Sequence, residues 1–305
     1  MAQRTHSTIH YVRSVIAQTW RHPSNEGRRG RAVARAVGWQ LRKRVRPTPM
    51  EVDFFGWRLR CHPDSNSASN VVYFTPLYDV DEMDFMIRYL RPGDGFVDVG
   101  ANIGTYSMLA RRLVGPTGHV VAYEPDPVAT RRFRENIELN RIENVRLHEA
   151  AVADAAGTVE FLEDYDVSNR IHSEQDGDAV ATRTVEVVTL DETLHGHTAA
   201  LGKLDVEGYE TAALRGASGR LADADPPVWQ VEIFDRQLAR AGTTRSELLD
   251  VLERADFELM TYTRAGGLRP VDPGARPVSN VWAVHRAARE TIERRLSDPP
   301  GGHVA

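Results

Sequence analysis

Along this chain the spacing of apolar residues switches repeatedly between a helical period and a strand period. Residues 6–20 place Ile9, Val12, Val15, Ile16 and Trp20 at helical spacing, residues 31–45 make a second amphipathic helix, and a polar turn at 23–30 joins them. From 51 to 61 the period drops to two (Val52, Phe54, Trp57, Leu59), which predicts a small hairpin around Gly56. Residues 70–78 are aromatic and read as a loop, and 81–90 read as a helix stopped by Arg91-Pro92-Gly93-Asp94. Strands follow at 96–99, 120–123, 145–148, 201–206 and 228–234, separated by helices at 106–113, 127–139, 209–221 and 245–255. Residues 158–162 and 184–188 predict an antiparallel pair around a long polar loop, 164–180, of the length that often forms a lid. Strands at 257–263 and 281–285 close the pattern, followed by a charged helix at 287–296 and a disordered tail at 297–305.

Repeated strand–helix alternation predicts an α/β fold with a mostly parallel sheet and helices on both faces. In such sheets ligands bind at the carboxyl ends of the strands, beside the switch in strand order. The boundaries expected are a basic helical extension at 1–48, a lead-in hairpin and helix at 49–93, the ligand-binding domain at 94–290, and a helix end and tail at 291–305. With 305 residues and 41% hydrophobic content, the chain can bury one large core, or one domain plus an extension. A single cysteine, Cys61, excludes an intrachain disulfide and a multi-cysteine zinc site. No apolar run approaches the ~20 residues of a membrane span, and His10, Arg13 and Gln18 interrupt the apolar stretch at 9–20. A soluble, cytoplasmic protein is therefore expected. The net charge of −5 is uneven: residues 1–50 hold ten Arg and Lys43 against Glu26 alone, a surplus of ten, which leaves −15 on the remainder. Such an arm can be a solvated extension packed on the body, or can touch nucleic acid, anionic lipid or a partner.

The chemistry converges on one stretch. After the strand at 96–99, Gly100 and Gly104 form a tight turn that opens a helix, so backbone can approach a ligand and free helix N–H groups face it. Asp98 ends the strand where it can meet a polar group. A dinucleotide fingerprint needs G-x-G-x-x-G, but here the middle glycine is displaced. Twenty residues beyond Gly104 the second strand ends at Glu124, suited to the two hydroxyls of a ribose. The spacing D-x-G-x-N-x-G resembles the first motif of class I S-adenosylmethionine (SAM) methyltransferases.

The run V-D-V-G-A-N-I-G-T-Y-S at 97–107 and Y-E-P-D-P at 123–127 resemble the FkbM-type SAM-dependent methyltransferases. So do Asn136, Asn140, Asn144, Thr189-Leu190-Asp191, and K-L-D-V-E-G-Y-E at 203–210. The resemblance spans about residues 90–235; the first 50 residues have no counterpart in it, and Leu204 stands where isoleucine is more usual. It implies a class I, Rossmann-like fold with a seven-stranded sheet, here with the N-terminal helical and hairpin extension added. By match, Asp98, Gly100, Asn102 and Gly104, with Ile103 among them, should hold the methionine part of SAM. Glu124 should take the ribose, and Glu149 and Ala150 should border the adenine.

Asp205 and Glu207 leave the strand at 201–206, where methyl donor and acceptor must meet. A neutral hydroxyl is a poor nucleophile and benefits from a base or a metal. Two carboxylates at this spacing can serve as base or, with Glu232, as ligands for a hard cation such as Mg²⁺. Alternatively Asp205 only orients SAM and Glu207 caps the next helix, and Lys203 can pair with either. His172 and His195 lie in loops that can reach the acceptor as bases. Tyr78 and Asp79 are candidates for the acceptor wall, and Asp191 for an N-cap or hinge. Asp225-Pro-Pro-Val228 superficially resembles an amino-methylating signature, but it precedes its strand and lacks the aromatic residue. The function expected is SAM-dependent O-methylation of a hydroxyl on a small molecule or saccharide: a sugar, glycan or natural-product intermediate. An NAD(P)-dependent oxidoreductase is disfavoured by the glycine spacing. A non-catalytic nucleotide- or RNA-binding module is disfavoured by the strand-end carboxylates, so a nucleic-acid partner is not expected. Metal dependence and homo-oligomerisation stay open.

Overall fold

The computed structural model describes residues 2–162, 182–272 and 278–298. The basic arm forms α1 (Ala2–Arg21) and α2 (Arg29–Val45), which pack on each other. The hairpin β1 (Met50–Phe54) and β2 (Trp57–Cys61) follows as its period of two predicts. Next comes α3 (Asn66–Phe74), where the aromatic run suggested a loop. Val71, Val72, Tyr73 and Phe74 are poor helix formers, yet Ser65 accepts a hydrogen bond from Ala68 N (3.1 Å), and Ala68, Val71 and Val72 are fully buried. Tertiary burial and the cap override local propensity. Helix α4 (Val80–Tyr89) completes the lead-in.

The turn between α1 and α2 is tied to the end of α3 and the segment joining α3 to α4. Asn25 Nδ2 donates to the Tyr73 carbonyl (3.0 Å), Ser24 Oγ donates to the Leu77 carbonyl, and His22 Nε2 lies 3.1 Å from the Tyr78 carbonyl oxygen.

The core alternates β3 (Gly95–Val99), α5 (Thr105–Val114), β4 (His119–Tyr123), α6 (Pro127–Asn140) and β5 (Val145–His148). The strands β6 (Ala151–Val152), β7 (Gly157–Leu162) and β8 (Thr182–Val188) form a separate three-stranded sheet, in which β7 and β8 are antiparallel as expected. The lid-length stretch 164–180 lies outside the described residues. After α7 (Leu190–Thr193) the chain returns as β9 (Leu201–Leu204), α8 (Glu210–Arg215), α9 (Ser218–Ala222) and β10 (Val228–Glu232). Then come α10 (Asp235–Arg240), α11 (Arg245–Arg254), β11 (Phe257–Thr263), β12 (Gly267–Pro270), β13 (Asn280–His285) and α12 (Arg289–Ser297).

The main sheet runs β12-β11-β13-β10-β9-β3-β4-β5. Strands β5, β4, β3, β9 and β10 are parallel, while β13, β11 and β12 add antiparallel pairs. Among the described residues the sheet thus has eight strands, one more than expected. The extra strand is the short β12, paired to β11 at the edge and ending in Pro270, too brief to stand out in the apolar pattern. The central strands are buried on both faces, which is why they read as apolar runs without alternation. The helix expected at 209–221 is two helices, because the Asp191 carboxylate accepts hydrogen bonds from Gly219 N and Arg220 N (both 2.9 Å) and starts α9 afresh. Two asparagines one turn apart on α6 clamp the hairpin: Asn136 Oδ1 accepts from Arg60 N (2.8 Å) and Asn140 Oδ1 from Arg58 N (2.7 Å). No helix among the described residues is long and apolar enough to cross a membrane.

Candidate functional site

From β3 the chain steps to β4 and β5 on one side, then returns to β9 and β10 on the other, so the strand order reverses between β3 and β9. A cleft opens there, at the carboxyl ends of the strands. Asp205 N donates to the Val99 carbonyl (3.0 Å), so the chain leaving β9 runs against the loop after β3. Gly100 sits at their closest approach, with φ 86°, and a Cβ there would collide with the Asp205 carbonyl. Its N–H, and that of Ala101, donate to the Tyr123 carbonyl (3.0 Å each), which pins the loop to β4. Gly104 (φ 85°) solves a different problem. A Cβ there would enter the Phe133 ring of α6, and the residue stands behind the cleft wall while Asn102 and Ile103 line it.

Glu124 holds the tip of this loop. Its Oε2 accepts from Asn102 N (2.8 Å) and its Oε1 from Asp126 N (2.9 Å), inside the cleft and 7% exposed. Burial pushes its carboxyl up to about 7, against the two backbone N–H groups, which favour the charged form. Asp98 is fully buried; Oδ2 accepts from Ser107 Oγ (2.6 Å), while Oδ1 has no hydrogen-bond partner among the described residues. Burial raises the Asp98 carboxyl above the ordinary range, with the Lys203 charge opposing. An unsatisfied buried acceptor on the wall of a cleft is a ready partner for a cationic or hydrogen-bonding ligand group.

Beyond Asp98 lies a charged cluster. Lys203 Nζ donates to Asp205 Oδ2 (2.8 Å) and lies 4.7 Å from the Tyr106 ring centre. Burial opposes the Lys203 charge, but the Asp205 and Asp98 carboxylates outweigh it and raise the ammonium above the ordinary lysine value. Burial would push Asp205 up, yet Lys203 and a hydrogen bond from Glu232 hold its carboxyl below the ordinary range. Glu232 is pushed up to about 9, by burial first and then by the Asp205 charge, so it stays protonated and faces Asp205 as a hydrogen-bond donor. Glu207 lines the cleft in the left-handed region (φ 55°), and its Oε2 accepts from Gln237 Nε2. Among the described residues no side chain caps α8; its first residue, Glu210, instead braces the turn before it, its Oε1 accepting from Val206 N (3.0 Å) and Gly208 N (3.1 Å). Asp205 is thus already engaged by an ammonium and a carboxylic acid. Among the described residues no three His, Cys, Asp or Glu side chains are grouped to hold a metal. The Mg²⁺ expectation at Asp205, Glu207 and Glu232 therefore gains no ligand set.

Tyr78 and Asp79 do line the cleft. Tyr78 Oη lies 2.6 Å from Thr105 Oγ1, and Tyr106 Oη donates to Asp79 Oδ2 (2.8 Å). Ala150 is on the wall with Val152, but Glu149 is not: it is exposed and ion-paired to Arg134. His195 is exposed, in the connection that enters the opposite, amino end of β9, away from the cleft. His172 lies outside the described residues. Asp191 caps α9 from a distance in sequence, while Thr189 caps α7. Asp225 is ion-paired to Arg220 (2.7 Å) and accepts from Ala199 N (2.6 Å), also at the amino end of the sheet. Sequence reasoning missed the polar wall contributed by Asp64, Ser65, Asn66 and Asn70, together with Arg132, which donates to Asp64 (2.7 Å). The signal was present in Ser65, a helix N-cap three residues before Ala68, but the reading of the aromatic run as a loop concealed it.

Residues 98–259 match the family described as "Methyltransferase FkbM domain". Over 68 residues the chain is 46% identical to the 31-O-demethyl-FK506 methyltransferase FkbM of Streptomyces tacrolimicus, covering 22% of this chain and 25% of that protein. Over 57 residues it is 40% identical to a ribosomal protein L11 methyltransferase of Listeria innocua, covering 19% and 18%. The matches thus span a quarter or less of these curated relatives. Among solved structures, precorrin-6y C5,15-methyltransferase from Geobacter metallireducens aligns with a TM-score of 0.39 at 16% identity, over 69% of this chain and 87% of that one.

Proposed function

Because the chain belongs to the FkbM-domain methyltransferases, we propose that it transfers a methyl group from SAM to a hydroxyl of a sugar, glycan or other small hydroxylated molecule. Bound in the cleft, SAM supplies an electrophilic methyl on a sulfonium. The residues fit that ligand. Asp98, with its unsatisfied Oδ1, and the loop at Gly100 suit the amino-acid end. Glu124 suits the ribose hydroxyls, and Ala150 and Val152 offer small apolar wall for the base.

The observation that carries hydroxyl chemistry is the Lys203–Asp205–Glu232 cluster at the end of β9 and β10. Asp205 stays ionised there and accepts hydrogen bonds from both neighbours, so it can also receive one from an acceptor hydroxyl and aim its lone pair. A low basicity is no obstacle. A protonated ether is far more acidic than any carboxylic acid, so the hydroxyl proton would pass to Asp205 as the new O–CH3 bond forms and the S–CH3 bond of the donor breaks, leaving S-adenosylhomocysteine as a neutral thioether. Positioning therefore supplies most of the rate, with Tyr78, Asp79 and Glu207 as the polar wall around the acceptor.

The test begins with calorimetric titration of S-adenosylhomocysteine (SAH), with NADH as control. SAH binding should be lost in Gly100→Val. A screen of sugars, glycosides and hydroxylated small molecules with isotopically labelled SAM should then yield a product methylated at oxygen. A product methylated only at nitrogen, or binding of NADH alone, would overturn the proposal.

A further inference from the structure

The cleft leaves the basic arm unused, and the arm presents a surface of its own. On α2, Val37, Leu41 and Val45 recur at every fourth residue and are 42%, 61% and 74% exposed, while Ala32, Ala36 and Trp39 are buried. The exposed three form one apolar stripe along the helix. On α1, Trp20 is 52% exposed and, with Ile16, Ala17 and Val33, lines a shallow groove edged by Arg13 and Arg21. Arg29 lies 5.9 Å from the Trp20 ring centre. Around these apolar positions the segment has its surplus of ten positive charges, with Glu26 the one acid among residues 1–50.

We propose that the α1–α2 pair is an interfacial anchor that lies on a bilayer containing anionic lipid. An aliphatic stripe, an indole and a dense set of arginines are the three components that such a surface takes up: acyl chains cover the stripe, the ring sits at the headgroup level, and the guanidinium groups meet the lipid phosphates. Charge complementarity favours an anionic surface. The stripe then decides between anionic surfaces, because single-stranded RNA engages cations and stacking rings and offers nothing to cover Val37, Leu41 and Val45. Neither helix is apolar enough to cross a membrane, so the pair would lie on the bilayer and not span it. Trp39 of α2 donates to Ser69 of α3 (3.1 Å), and the first two turns of α3 supply Asn66 and Asn70 to the cleft wall. Docking the arm would therefore bring the rim of the cleft close to the lipid surface.

The test is co-sedimentation of the full-length protein with vesicles of phosphatidylcholine alone and of an equal mixture with phosphatidylglycerol, at low and high salt. Two double variants are compared, Leu41→Asp with Val45→Asp and Arg13→Glu with Arg31→Glu, each first confirmed as folded by an unchanged SAH titration or, if SAH does not bind, by an unchanged thermal transition. The expected result is binding to the anionic vesicles alone, weakened about tenfold or more by either double variant. No pelleting with anionic vesicles would overturn the proposal. So would pelleting that the Leu41/Val45 variant leaves unchanged, or retention on polyuridylate that exceeds retention on vesicles.

Discussion

If Glu124 takes the ribose as proposed, its carboxyl should make SAH affinity a function of pH with a calculable slope. Its ordinary value is 4.5 and burial carries it to about 7, with the charges of Asp126 and Asp98 adding to the rise. In the ligand-free protein about 10% of molecules are then ionised at pH 6 and about 90% at pH 8. On the proposed reading of Glu124 as the ribose partner, the ionised form, with two carboxylate oxygens each already fixed by a backbone N–H, is the one that would accept both ribose hydroxyls. Affinity scales with the competent fraction, so it should rise about tenfold from pH 6 to pH 8, or about 1.4 kcal/mol. Near pH 7 binding should release about half a proton per site, detected by calorimetry in buffers of different ionisation enthalpy. The stability of the ligand-free protein should move the other way. A group whose folded value is raised stabilises most below its unfolded value, so this contribution is full below about pH 4.5 and is lost as pH climbs through about 7. Glu124→Gln should bind more weakly and lose the slope. An affinity flat between pH 6 and pH 8 in the parent protein, or an unchanged slope in Glu124→Gln, would refute the reasoning.

Lys203→Met strips the Asp205 side chain, 32% exposed at the cleft, of its counter-charge; urea denaturation should register a loss of about 2 kcal/mol, and methyl transfer should fall with it. Gly100→Ala forces a Cβ against the Asp205 carbonyl in a left-handed backbone; denaturation should give a loss of about 2 kcal/mol or more, and calorimetry should give no SAH binding. Asp191→Ala uncaps α9 and should cost about 1 kcal/mol in denaturation, while SAH affinity holds, because neither Asp191 nor α9 lines the cleft.

The strand, turn and helix that form one side of the cleft were legible because short-range physics dictates them. Strand, glycine turn and helix at 96–113 are fixed by apolar runs and by backbone that only glycine adopts without strain, and Glu124 follows from where the next strand ends. Ala150 came from the family resemblance, and the structure places it on the cleft wall. The reading failed where a residue's environment comes from distant segments. Glu149 sits at the expected sequence position, but Arg134 on α6 draws it outward. His195 follows a loop to the amino end of the sheet, and no local pattern states which end a loop serves. The tuning of Asp205 needs Glu232, twenty-seven residues on, and the adjacency of β9 and β10 brings them together. The helix at 66–74 was hidden for the opposite reason: its residues prefer other conformations, and burial imposes the helix.

The hydrogen bonds from His22, Ser24 and Asn25 to the carbonyls of Tyr78, Leu77 and Tyr73 bear on how such a protein diversifies. Residues 98–259 carry the shared domain, whereas Tyr78 and Asp79 on the cleft wall belong to a stretch upstream of it, splinted by the turn of the arm. Under the proposed function, donor handling and acceptor choice would then be inherited from different parts of the chain. Replacing the upstream part would change what the enzyme selects and leave its methyl donor alone, provided that the turn and the wall it braces are exchanged as one piece.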